Sequence, residues 1–160
     1  MQPVKLKVKK LPNCKDVPRY ATAGSAGMDL TAGIDQPITL EPGKRTGIPT
    51  GITIEIPPGY EGQVRPRSGL AAKAGITLTN CVGTIDSDYR GEVTVLAINL
   101  GDKAYTFQPG ERIAQLLITP VPRVEVIEVD ELDAGGQRGA GGFGSTGREM
   151  FASGISSGVN

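Results

Sequence analysis

Residues 65–69 read Arg-Pro-Arg-Ser-Gly, two arginines directly before a segment that starts like a helix. A guanidinium can grip two phosphate oxygens at once. The free N–H groups and dipole at a helix start favour an anion as well. The same residues also read as a pair of solvated arginines in a proline-bent loop. Residues 86–91, Asp-Ser-Asp-Tyr-Arg-Gly, open like a calcium loop, but the fifth position is Arg90 and the twelfth is Ala97 rather than a glutamate. What remains is a polar hairpin turn, or a carboxylate that activates water as a base. Residues 139–144, Gly-Ala-Gly-Gly-Phe-Gly, match G-x-G-x-x-G, yet no helical pattern follows and sixteen residues remain. That is too short for a further βαβ step, so a dinucleotide fold is rejected. Composition alone makes this segment a flexible tail. Arg138, Phe143, Ser145 and Thr146 place a cation, an aromatic ring and hydroxyls among the glycines, so it could instead wrap a phosphorylated base or act as an RNA-binding strip. Arg112-Ile-Ala-Gln115 opens an apolar run, and residues 23–30 read as a turn into a strand. Together these segments supply arginines, hydroxyls, glycines, one aromatic and a carboxylate, a set suited to hydrolysis of a phosphoanhydride.

The rest of the composition narrows the chemistry. There is no histidine, which removes the Ser-His-Asp triad, the Cys-His pair and histidine-bearing zinc sites. Acid–base work falls to carboxylates, lysine, tyrosine or metal-bound water. Two cysteines, Cys14 and Cys81, are too few for an all-thiolate zinc site, and one disulfide is only arithmetically possible. Lys plus Arg and Asp plus Glu both number 17, giving zero formal charge, which argues against a nucleic-acid or membrane partner. No signal peptide and no bilayer-length apolar run is visible, so the expected location is cytoplasmic with reduced thiols.

The elements that must position these groups are β-strands. A chain of 160 residues with 23 glycines and 12 prolines is rich in turns and poor in long helices. Val4, Leu6 and Val8 alternate with lysines, and Ile52, Ile54 and Ile56 alternate with Thr53 and Glu55. Val93 to Leu100 and Ile113 to Ile118 suit buried strands. Val124 to Val129 alternates with one extra residue, the pattern of a bulged strand. Pro-Gly turns at 42–43, 58–59 and 109–110 punctuate them. The spacing predicts an all-β, jelly-roll-like barrel or sandwich with one short helix, capped by Ser68 and stopped by Gly75. Seven of the fourteen residues 134–147 are glycine. The expected division is a β domain over 1–133 and a glycine-rich C-terminal arm over 134–160.

The order of these segments resembles the trimeric deoxyuridine triphosphatase (dUTPase) family. Five motifs match in sequence order: residues 23–30, 65–71, 80–91, 109–116 and 138–147. The resemblance implies a homotrimer with shared sites, in which dUTP and water give dUMP and diphosphate with Mg2+. Such an enzyme removes dUTP from the DNA precursor pool and supplies dUMP. It implies Asp86 as the base that aims water at the α-phosphorus, and Tyr89 beneath the deoxyribose, leaving no room for a 2′-OH. Asn80, with Gly83, Thr84 and Ile85 of the same hairpin, reads uracil. Arg67, Ser68, Gly69 and Gln115 contact phosphates. Arg138, Gly144, Ser145 and Thr146 hold the γ-phosphate, and Phe143 stacks on uracil. Asp29 acts from behind, orienting Arg67 or metal-bound water, and Arg112 stands behind the site as an interface or phosphate-end residue. No protein-built metal cage is implied, since Mg2+ prefers phosphate oxygens and its own waters. Two rivals remain: a dCTP deaminase, whose family shares the fold, and a nucleotide-binding module without turnover.

Overall fold

The computed structural model of the protein describes residues 3–133 and 139–141. The chain divides into two compact units, Met1–Arg123 and Val124–Asn160. The first unit carries eleven strands: β1 (Lys7–Lys10), β2 (Arg19–Tyr20), β3 (Met28–Thr31), β4 (Ile38–Leu40), β5 (Arg45–Glu55), β6 (Tyr60–Arg65), β7 (Ile76–Leu78), β8 (Gly83–Ile85), β9 (Glu92–Asn99), β10 (Tyr105–Phe107) and β11 (Arg112–Pro120). One helix, α1 (Ser68–Ala74), stands between β6 and β7.

The strands form a four-stranded sheet in the order β1-β5-β9-β7, a five-stranded sheet in the order β2-β3-β11-β6-β8, and a β10-β4 pair. One apolar cluster joins the sheets. Leu30, Val64 and Leu116 from the larger sheet meet Ile48, Ile52, Ile54, Val93 and Val95 from the other, over a fully buried Phe107. The alternation in the sequence explains this packing. On β9, Val93, Val95 and Ala97 point into the core while Thr94 and Leu96 face out. The last inward position of that strand is Asn99, fully buried. Its amide donates to Leu40 O and Lys103 O, both at 2.8 Å, and its Oδ1 accepts Gly101 N at 2.9 Å. A buried amide is tolerated there because each polar atom is bonded.

Three expectations need correction. The first strand begins at Lys7, and Val4 lies exposed outside it. Val124 to Val129 forms no strand among the described residues, and Val124, Val126, Ile127 and Val129 are all exposed. An alternating pattern makes a strand only when another strand supplies its hydrogen bonds, and among the described residues none pairs with this segment. Finally, Ser68 does not cap α1. Arg67 is the N-cap, in an extended conformation (φ −91°, ψ 127°) with no side-chain cap bond. The predicted stop holds: Gly75 sits at φ 68°, in the left-handed region, and its N–H bonds Ala71 O.

Candidate functional site

Strand register builds the first part of the site. On β3, Met28 and Leu30 enter the core, so Asp29 faces the other way. β11 pairs with β3 antiparallel, placing Gln115 directly opposite Asp29, and on its other side Gln115 faces Arg65 of β6. The β3–β11 register shifts between Arg112 and Ala114. A bulge of this kind re-aims a side chain, and here Arg112 Nη1 lies 3.0 Å from Asp29 Oδ2. Arg67 Nε lies 3.2 Å from Asp29 Oδ1, and Arg67 Nη1 donates to Arg112 O at 3.0 Å. One carboxylate thus spaces two guanidinium groups. The Gln115 amide donates to Pro66 O at 3.0 Å, fixing the bend that leads into α1. Asp29, Arg67, Ser68, Gly69, Arg112 and Gln115 line a cavity of about 290 Å³. Its charged lining carries two arginines against one aspartate, so it suits an anion. Of the two arginines in the 65–69 segment only Arg67 faces it; Arg65 is turned to Gln63, donating from Nη2 at 2.5 Å.

A second cavity, of about 280 Å³, is lined by Asn80, Gly83, Thr84, Ile85, Asp86 and Tyr89, together with Glu92 and neighbouring apolar residues. β8 holds its floor by pairing Gly83 with Val64 and Ile85 with Gly62. Asp86 opens the next turn, its carbonyl accepting Tyr89 N at 3.1 Å. Among the described residues no donor engages the Asp86 carboxylate, and Asp86 is exposed while lining the cavity. Asp88 does not line the cavity. The expected hairpin is a correction: β8 bonds to β6, while β9 bonds to β5 and β7, so the Asp86 turn crosses from one sheet to the other. Local sequence gives a turn but not the sheet to which each flank belongs.

No residue lines both cavities. The carboxylate and the arginines therefore occupy separate hollows of one chain. Arg138, Phe143, Gly144, Ser145 and Thr146 lie outside the described residues. Both cysteines are free; Cys14 Sγ donates to Asp16 O at 3.4 Å and Cys81 is exposed. Among the described residues no group of three His, Cys, Asp or Glu stands together as a metal site. No helix among them is long and apolar enough to cross a membrane.

Sequence reasoning missed two supports. Glu92 accepts Gly51 N at 2.8 Å and Asn13 Nδ2 at 3.0 Å, anchoring the start of β9 beneath the second cavity. Near the first cavity, Tyr105 donates to Glu111 Oε1, and Glu111 Oε2 accepts Gln108 N at 2.9 Å. Burial, then the Glu111 bond, push the Tyr105 phenol up to about 12. Neither support has a sequence signal, because single polar residues far apart in the chain carry no pattern.

An antiparallel β-sandwich with an arginine-lined hollow suited to an anion and a separate carboxylate hollow defines an all-β protein with a two-part candidate site. The dUTPase family model matches residues 13–147. The chain is 55% identical over 150 residues to the deoxyuridine 5′-triphosphate nucleotidohydrolase of Methylocella silvestris, covering 91% of this chain and 93% of that protein. It is 59% identical over 133 residues to the enzyme of the same name from Anaeromyxobacter sp., covering 83% and 88%. Among solved structures, the dUTPase of Staphylococcus bacteriophage 80alpha with dUPNHPP superposes at a TM-score of 0.81 and 29% identity, covering 90% of this chain and 99% of that one. The dUTPase of S. aureus phage phi11, described with a structural Mg(II) ion, shares the fold at 24% identity and a TM-score of 0.72, covering 81% and 99%. The chain belongs to the dUTPase family.

Proposed function

We propose that the protein hydrolyses dUTP to dUMP and diphosphate, with Asp86 as base. The observation that carries the reading is the pair of cavities: a free carboxylate beside Asn80 and Tyr89 in one, and Arg67, Ser68 and Gln115 in the other. The carboxylate hollow has acidic Asp86 and Glu92 and no cation in its lining. It suits a nucleoside and repels a triphosphate, whose charge needs the arginine hollow. The two halves come together when copies of the chain associate, one copy offering Asp86 and another Arg67. This is the reason to propose a homotrimer with shared sites. Arg138, Phe143, Gly144, Ser145 and Thr146 complete the reading as γ-phosphate and uracil contacts from the arm over 134–160.

In the proposed reaction Asp86 accepts a proton from water as the water oxygen bonds to the α-phosphorus. The bond from that phosphorus to the α–β bridging oxygen breaks, and diphosphate leaves with the electron pair. Such a transfer needs positioning and charge neutralisation more than covalent help. Arg67, pre-set by Asp29, contributes without reorganising. Ser68, not spent on capping, keeps its hydroxyl for a phosphate oxygen. Gly69, with nothing within 4 Å of its missing Cβ, leaves room for a phosphate to reach the backbone. Asn80, Gly83, Thr84 and Ile85 form the wall that reads uracil, and Tyr89 lies against the sugar. Asp29 is committed to two arginines, so Mg2+ fits as a companion of the substrate phosphates rather than a ligand of this aspartate; bound there it would neutralise developing charge. The reading assigns the protein to the cytoplasm, where it clears dUTP from DNA precursors and yields dUMP.

A panel of dATP, dCTP, dGTP, dTTP, dUTP and UTP, scored for diphosphate with magnesium, tests the reading. Diphosphate from dUTP alone is expected, and Asp86→Asn should lower kcat by about 10²–10⁴-fold while dUTP still binds. Ammonia from dCTP, or near-normal turnover by Asp86→Asn, refutes it.

A further inference from the structure

We infer that Gly91 is a specificity-determining residue, which sets the position of the Tyr89 ring by being the surface on which that ring lies. The inference rests on the proposed role of Tyr89 against the sugar. Tyr89 is 45% exposed, so no core packing fixes its ring. Instead the side chain folds back along its own chain, and its hydroxyl donates to Glu92 O at 3.1 Å. The ring passes over Gly91 on the way. A Cβ on Gly91 would overlap the phenolic oxygen, stand 2.5 Å from Cζ and 3.0 Å from Cε2 of that ring.

The backbone does not demand glycine at this position. The described glycines with left-handed φ are 43, 51, 59, 75, 110 and 139, and Gly91 is not among them. The three atoms nearest to a side chain at 91 all belong to Tyr89, so it is the tyrosine that such a side chain meets first. The backbone cannot yield to such a side chain either. Glu92 is tied by its carboxylate to Gly51 N and Asn13 Nδ2, and Val93 is 2% exposed in the core. The ring must move, and it moves at the wall of the carboxylate cavity, which Tyr89 lines and Gly91 does not. A residue without a side chain thereby decides where an aromatic wall stands.

The test compares Gly91→Ala, Tyr89→Ala and the double variant by the ratio of kcat/KM for dUTP to that for UTP, with melting temperatures alongside. Gly91→Ala is expected to lower the ratio at least about tenfold, the scale at which a displaced wall loses discrimination, with its melting temperature near that of the parent. Adding Gly91→Ala to Tyr89→Ala should change the ratio no further, because nothing is left to collide. A parental ratio in Gly91→Ala, while Tyr89→Ala has lost it, overturns the inference and leaves the Tyr89 reading intact. A parental ratio in Tyr89→Ala refutes the sugar-wall reading and the inference with it. Equal collapse of melting temperature in Gly91→Ala and the double variant also overturns it, since the glycine would then serve the backbone.

Discussion

Replacing Asp29 by asparagine keeps its shape and removes the charge that spaces Arg67 from Arg112. The Asp29 side chain is 18% exposed, Arg67 is 29% and Arg112 is 55%. The Arg67 contact is the better shielded and should exceed the usual exposed pair; the Arg112 contact should fall within that range, and together they are worth about 1–2 kcal/mol. For a chain of this size that lowers the melting temperature by roughly 2–8 °C. The larger effect is on catalysis. Arg67 keeps one bond, to Arg112 O at 3.0 Å, but loses the partner that sets its fork, and two cations now face each other uncompensated. The expected loss in kcat/KM for dUTP is about tenfold, or 1.4 kcal/mol. A double-mutant cycle with Arg67→Gln, read by stopped diphosphate assays, isolates the coupling. Because Asp29 acts through Arg67, Asp29→Asn should add little once Arg67→Gln is in place. Strictly additive losses, or an Asp29→Asn variant with parental kcat/KM, refute the argument that this carboxylate organises the anion cavity.

Two further outcomes concern stability. Asn99→Ala removes three hydrogen bonds from a fully buried side chain and leaves Leu40 O, Lys103 O and Gly101 N unpaired; a loss of at least about 3 kcal/mol is expected in urea unfolding. The Tyr105 phenol, raised to about 12 from 10.0, stays protonated in the folded state where the unfolded chain would ionise. Its contribution is therefore complete below pH 10 and lost as pH climbs toward 12. Tyr105→Phe should flatten that part of the stability–pH curve, and an unchanged slope would refute the assignment.

Periodicity served where it reported burial. Ile52, Ile54 and Ile56 alternate in the sequence and are all buried. The same logic failed at Val124 to Val129, because period records a side-chain pattern and not the presence of a neighbouring strand. Ser68 does not act as the cap for a related reason: a cap is decided by backbone angles at one residue, and Arg67, after the proline, adopts the extended conformation instead. The contributors to the arginine cavity were legible as a list, since Asp29, Arg67, Arg112 and Gln115 each sit in a distinct segment. Their mutual spacing was not legible, because it depends on a register shift at Arg112 that no local signal announces. The division of the groups between two hollows is likewise a property of sheet order.

That sheet order has a bearing on how the protein is made. β1 must wait for β5, and β3 must wait for β11, among the described residues its one partner apart from the two-residue β2. Asp29 therefore leaves the ribosome more than eighty residues before the strand that aligns it. Nothing resembling the arginine hollow can exist on a nascent chain that has not yet delivered Gln115. Pairings so distant in sequence are slow to close, and until they do the apolar faces of β3 and β5 stay uncovered, which makes the interval between synthesis and closure the period of greatest vulnerability to aggregation.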